Sequence, residues 1–88
     1  SPVIEDNHGD YKYTIQAGAF SKDSNAAALK KQFEDSGYHS FVKKKTVGGS
    51  EFIVVFVGEF KQREEADDFL QLVNKQFKLN GRIVPMIQ

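Results

Sequence analysis

The sequence predicts an α+β domain of order βαββαβ, a four-stranded antiparallel sheet with two helices on one face, and three features carry that prediction. The chain is punctuated twice in the same way, 40 residues apart: Gly18-Ala19-Phe20 followed by Ala26, Leu29 and Phe33 is matched by Gly58-Glu59-Phe60 followed by Ala66, Phe69 and Val73. Before each glycine the apolar positions alternate, as Tyr13, Ile15, Ala17 and then as Ile53, Val55, Val57, so in a strand each trio shares one face. After each glycine the spacing becomes helical, ending in the run Ala66, Phe69, Leu70, Val73 and Phe77.

Taken in order, the first strand is expected over about residues 11–19 and the first helix over about 23–36, with Asp23 or Ser24 as its cap and Gly37 as its stop. Strands two (about 38–46) and three (about 51–57) flank Val47-Gly48-Gly49-Ser50, a hairpin signal that makes them antiparallel neighbours. The second helix is expected over about 62–77, stopped by Asn80-Gly81, and the last strand over about 82–87. Pro85 cannot donate to a ladder, which places that strand at an edge. Phe20 and Phe60 read as equivalent plugs at the strand-to-helix turns. Two right-handed crossovers put both helices on one face and strands one and three at the centre, a ferredoxin-like or RNP-like arrangement.

At 88 residues the chain fits one domain whose core suffices for folding but cannot enclose a deep pocket, so function is expected on a surface. Twelve basic and twelve acidic residues cancel, which weighs against nucleic acid as the partner, because phosphate neutralisation is the main source of such affinity. The one dense basic run is Lys43-Lys44-Lys45, while Glu64, Glu65, Asp67 and Asp68 crowd the start of the second helix, where they complement its dipole. Cysteine is absent, removing disulfides, thiolate metal sites and cysteine nucleophiles, and neither His8 nor His39 has a second ligand at metal spacing. No nucleophile with a base partner stands out, so no enzyme, metal or cofactor is expected. Residues 1–10 form a polar, turn-rich stretch read as a flexible lead or linker remnant, and residues 11–88 as the domain. Neither a signal peptide nor a membrane-length apolar run occurs, so any membrane attachment is expected through a segment upstream.

The sheet face away from the helices is the one that invites a function. By parity it receives Lys12, Thr14 and Gln16 from strand one and Phe52, Val54 and Phe56 from strand three. Phe41, Lys43 and Lys45 join them if Tyr38, Ser40 and Val42 face the helices, although Phe41 and Val42 compete for the core. An apolar strand on an uncovered face needs a partner. The Gln16 amide can both donate and accept hydrogen bonds, or be an ordinary polar group on a wet sheet. Phe41, Phe52 and Phe56 would make an aromatic platform for an apolar ligand face, and truncating Phe52 or Phe56 is expected to leave the fold intact. Alternatively Pro2-Val3-Ile4 or a second copy of the chain buries those rings.

The string Tyr13-Thr14-Ile15-Gln16-Ala17-Gly18-Ala19-Phe20, with Asn25-Ala26 and Val55-Phe56-Val57-Gly58-Glu59-Phe60, resembles the SPOR domain family of sporulation-related repeats, over about residues 11–87. The resemblance implies a non-catalytic peptidoglycan-binding module, similar in fold to RNA-recognition domains. Such a module binds glycan strands stripped of their stem peptides and localises its parent at division or remodelling sites, on the periplasmic side of the bacterial envelope. On that implication the glycan-binding residues are Gln16, Thr14, Phe41, Lys43, Phe52, Val54 and Phe56, and Lys43 and Lys45 approach lactyl carboxylates. The chain departs from the family pattern twice: Glu59 stands where many members have proline, and Val54 where they have a basic residue. Two other readings use the same face: a protein-interaction or dimerisation module meeting Phe41, Phe52 and Phe56, and a single-stranded RNA binder, against which the zero net charge weighs.

Overall fold

In the computed structural model, which describes residues 11–86, the alternating positions form one buried layer. Ile15, Val55 and Val57 from two adjacent strands meet Phe33 and Val73 from two helices, and all five are fully excluded from solvent. The elements are β1 (Tyr13–Phe20), α1 (Asp23–Asp35), β2 (Ser40–Val47), β3 (Ser50–Phe60), α2 (Arg63–Phe77) and β4 (Arg82–Pro85). The sheet runs β2-β3-β1-β4 with every neighbouring pair antiparallel, so β1 and β3 are central and β4, with its proline, is an edge. Both helices cover the same face. They are tied together by an edge-to-face contact of Phe33 with Phe77 at 4.8 Å and by Tyr38, whose ring meets Phe69 at 4.9 Å.

The two Gly-x-Phe segments belong to the strands and do not lie in turns beyond them. In β1, Gln16 faces Phe56 but Gly18 faces Val55, so Ala17 is an extra residue. In β3, Val57 faces Ile15 and Phe60 faces Tyr13, so an extra residue falls at Gly58-Glu59. Such bulges exchange the two faces for everything that follows. Without them Phe20 and Phe60 would project beside Gln16 and Phe56; with them both rings turn to the helix side and pack on the core. Each ring then folds back over its own glycine. A Cβ on Gly18 would lie 3.3 Å from the Phe20 ring, and one on Gly58 only 2.7 Å from that of Phe60. The bulge also frees the Gly58 carbonyl, which the Thr14 hydroxyl satisfies at 2.6 Å.

Element ends differ from the sequence-based expectations in physical detail. β1 begins at Tyr13, β2 at Ser40, and β3 continues to Phe60, because the bulges let pairing resume past each glycine. Lys22 caps α1 through its backbone, with no side-chain bond, so neither Asp23 nor Ser24 is the cap and Asp23 lies in the first turn. α2 ends on Lys78 in the left-handed conformation, with Leu79 N–H donating to the Asn74 carbonyl, and not at Asn80-Gly81. Gly81 N–H is instead held by Asn74 Oδ1 at 2.8 Å. β4 stops at Pro85, although Met86 N–H still donates to the Lys12 carbonyl, and Ile87 lies outside the described residues. The Gly48-Gly49 turn has positive φ at both positions, matching the strand twist as a two-residue hairpin requires.

The repeat pairs Gly18 with Gly58, yet only Gly58 has a left-handed φ of 79°. Gly58→Ala should therefore lower stability by on the order of 3 kcal/mol, through backbone strain plus the clash with Phe60. Gly18→Ala should cost less than about 1 kcal/mol, since the Phe20 ring need yield only slightly. Urea denaturation of both variants checks this; equal midpoints would contradict the asymmetry.

Candidate functional site

The face opposite the helices is organised by one row that crosses all four strands. Phe41 on β2 faces Phe56 on β3, Phe56 faces Gln16 on β1, and Gln16 faces Arg82 on β4. The parity of β2 is settled by its neighbours: Ser40 is buried with its hydroxyl on the Phe56 carbonyl at 2.7 Å, Tyr38 packs under the helices, and Phe41 stacks on Phe56 at 5.0 Å with the rings 18° apart. Direct cross-strand aromatic pairs of this kind stiffen a sheet. The row thus reads from one edge to the other as two stacked rings, an amide and a guanidinium.

Around this row lies a groove of about 390 Å³. Gln16, Phe41, Lys43 and Phe56 line it together, as the sequence led one to expect, and Lys45 extends it along β2. Thr14 also lines it, but is only 2% exposed and has its hydroxyl committed to Gly58, so it contributes floor and no available polar group. Val54 is 3% exposed, set between Lys43 and Ala19, and does not reach the groove. Phe52 faces Lys45 toward the hairpin, four residues along β3 from Phe56 and so about 13 Å away by strand rise. The expected platform of three rings is therefore a stacked pair with a separate third ring. Phe56, 6% exposed, is largely covered, and Phe41 carries the accessible aromatic surface. Truncating Phe56 would for this reason disturb the sheet as well as the groove. Burial of these rings by Pro2-Val3-Ile4 concerns residues outside the described ones.

Sequence reasoning missed the β4 side. Arg82, Val84 and Met86 close the groove opposite Phe41 and Lys43. The signal was present: Ile83 packs on the core, so by alternation Arg82 and Val84 must point to the other face. Among the described residues that line the groove three are cations, Lys43, Lys45 and Arg82, and none is acidic. The site combines an apolar floor, a central amide and positive rims, a set suited to a flat polyhydroxylated ligand that carries negative charge. A second concavity of about 290 Å³ between α1 and β2, bordered by Ala26, Val42 and Ile53, has no such arrangement of rings and amide.

A profile of the SPOR domain matches residues 9–84. Among solved structures, the chain is similar to the solution structure of the peptidoglycan binding domain of the B. subtilis cell wall lytic enzyme CwlC, with TM-score 0.69 and 26% identity over 88% of this chain and 91% of that one. It is also similar in fold to the Spor protein DedD, with TM-score 0.63 and 16% identity over 85% of this chain and 39% of that one. Curated proteins supply no match to this sequence.

Thr14 and Gln16 are neighbours on one face with opposite duties. Thr14→Val should lower stability by about 1 to 3 kcal/mol, because the Gly58 carbonyl loses its donor inside the bulge. Gln16→Ala should leave the unfolding midpoint within about 0.5 kcal/mol of the parent, because its side chain makes no hydrogen bond among the described residues. Thermal unfolding of the two variants is the check, and a destabilised Gln16→Ala would show the amide to be structural.

Proposed function

Because the chain belongs to the SPOR domain family, we propose that it is a non-catalytic module that binds peptidoglycan through the open face of its sheet. Its ligand in this reading is the glycan strand stripped of stem peptides, and binding places the parent protein at division or remodelling sites on the periplasmic side of a bacterial envelope. The observation that carries the reading is the row Phe41, Phe56, Gln16 and Arg82, with its groove, on the sheet face that the helices leave uncovered. The likeness to a domain described as peptidoglycan-binding supports the ligand class.

Each part of the row has a use in that setting. Sugar rings present an apolar face that packs on the half-buried ring of Phe41, and hydroxyl and acetamido groups exchange hydrogen bonds with the Gln16 amide. Phe56 holds Phe41 in place by stacking. The departure at Val54 is offset by cations on the two edge strands, Lys43 on β2 and Arg82 on β4, so positive charge sits at the rims and not at the centre. A protein partner on this face would call for a wide apolar patch. Among the described residues the exposed large hydrophobics are Val42 on the helix side, Val47 at the hairpin and Leu72 on α2, none of them in the groove.

A pull-down with purified sacculi before and after amidase treatment, run beside a sizing column, tests the reading. The protein should be enriched on treated sacculi and elute as a monomer. Phe41→Ala should lose about 1 to 3 kcal/mol of binding, by analogy with bases stacked on aromatics, and Gln16→Ala about 1 kcal/mol. Absence of sacculus binding together with a concentration-dependent dimer would instead support the protein-interaction reading.

A further inference from the structure

The cations of the open face do not form one patch. Lys43 and Lys45 stand on β2 and Arg82 on β4, with β3 and β1 between them. Three strand spacings separate the two rims, roughly 14 Å across the sheet. Between them the floor is neutral: Phe56, the Gln16 amide and the buried Thr14. Among the described residues no carboxylate lies within ion-pair distance of Lys43, Lys45 or Arg82. Arg82 pairs across β1–β4 with Gln16, so its fork stands at the end of the same row that begins with the Phe41 ring.

We infer that Arg82 is a specificity-determining residue of this surface, which together with Lys43 on the opposite rim reads two free carboxylates of one glycan strand. The inference rests on the glycan-binding reading above and adds how a bare strand is told from a peptide-bearing one. Attachment of a stem peptide turns the lactyl carboxylate of the sugar into a neutral amide, and its removal by an amidase restores the negative charge. A guanidinium donates two parallel, charge-assisted hydrogen bonds to a carboxylate and has no equivalent bidentate pair with an amide. A single sugar ring is shorter than three strand spacings, so one carboxylate cannot engage both rims. The surface therefore requires a ligand with at least two carboxylates in sequence, and discrimination multiplies with each stem peptide removed.

The test uses soluble glycan oligomers released from amidase-treated sacculi, in two forms: the free acid, and the same oligomers with their carboxylates converted to methylamides. Calorimetric titration of the 88-residue chain at low salt should show the acid form binding about tenfold more tightly, about threefold for each exposed charge contact. Arg82→Gln and Lys43→Gln should each reduce that ratio to about threefold and the double variant to about one, while Arg82→Lys should retain more of it than Arg82→Gln. Raising the salt should shrink the ratio for the parent. Equal affinity of the parent for acid and methylamide forms would overturn the inference, and so would an Arg82→Gln variant that weakens both forms alike. Binding of neither form would overturn the glycan reading itself, and this inference with it.

Discussion

The parity of β1 and β3 is the constraint on which the rest of the domain depends. Ile15, Val55 and Val57 must face Phe33 and Val73 for two short helices to bury anything, and strand geometry then assigns Gln16 and Phe56 to the opposite face. The open face is in this sense the complement of the core. Accessible positions such as Gln16 can vary without touching the helix-side packing, whereas the covered Thr14 and Phe56 are tied to the sheet itself. The two bulges show how tightly this is controlled. A single extra residue in each strand, at Ala17 and at Gly58-Glu59, turns Phe20 and Phe60 to the core just where the strands leave the sheet, and keeps two further rings off the open face.

Most of the fold was legible in the sequence because it is written twice, and a pattern repeated 40 residues apart reveals strand parity and helix phase more surely than either copy alone. The strand order and the central pair follow from that pattern together with the Gly48-Gly49 hairpin and right-handed crossovers, and the edge from Pro85. What stayed hidden were features with no periodic signature. A bulge is one residue long, so Phe20 and Phe60 read as turn residues although both lie in strands. Lys78 adopts a left-handed conformation that its residue type does not advertise, and Asn80-Gly81 mimicked the stop. The candidate site was legible on β1, β2 and β3, where Gln16, Phe41, Lys43 and Phe56 do converge, but not on β4. Four residues with a proline give too short a run for alternation to be conspicuous, so Arg82 was overlooked. Thr14 and Val54 were placed on the correct face, but nothing in their spacing distinguishes an accessible position from one covered by neighbours.

The basic run on β2 serves two physical ends at once. β2 is an edge strand, and lysines along an edge discourage the addition of a foreign strand. Alternation then divides the run between faces: Lys43 and Lys45 border the groove on the open face, while Lys44 borders the concavity against α1. The other edge is short and carries Pro85, a second means to the same end. Both edges are thereby protected and both carry positive charge to the open face. Zero net charge over the chain coexists with a groove lined by cations alone among its charged residues, because the acidic side chains Glu64 and Glu65 gather at the start of α2 on the opposite side of the sheet.

The central claim is that ligand is held on the uncovered sheet face by the row from Phe41 to Arg82. Backbone amide chemical shifts of the labelled domain, recorded while bare glycan oligomers are titrated in, test it most directly. The account predicts saturable shifts concentrated at Gln16, Phe41, Lys43, Phe56 and Arg82, with α1 and α2 silent. Shifts centred on the groove between α1 and β2, or spread along the helices, would contradict it.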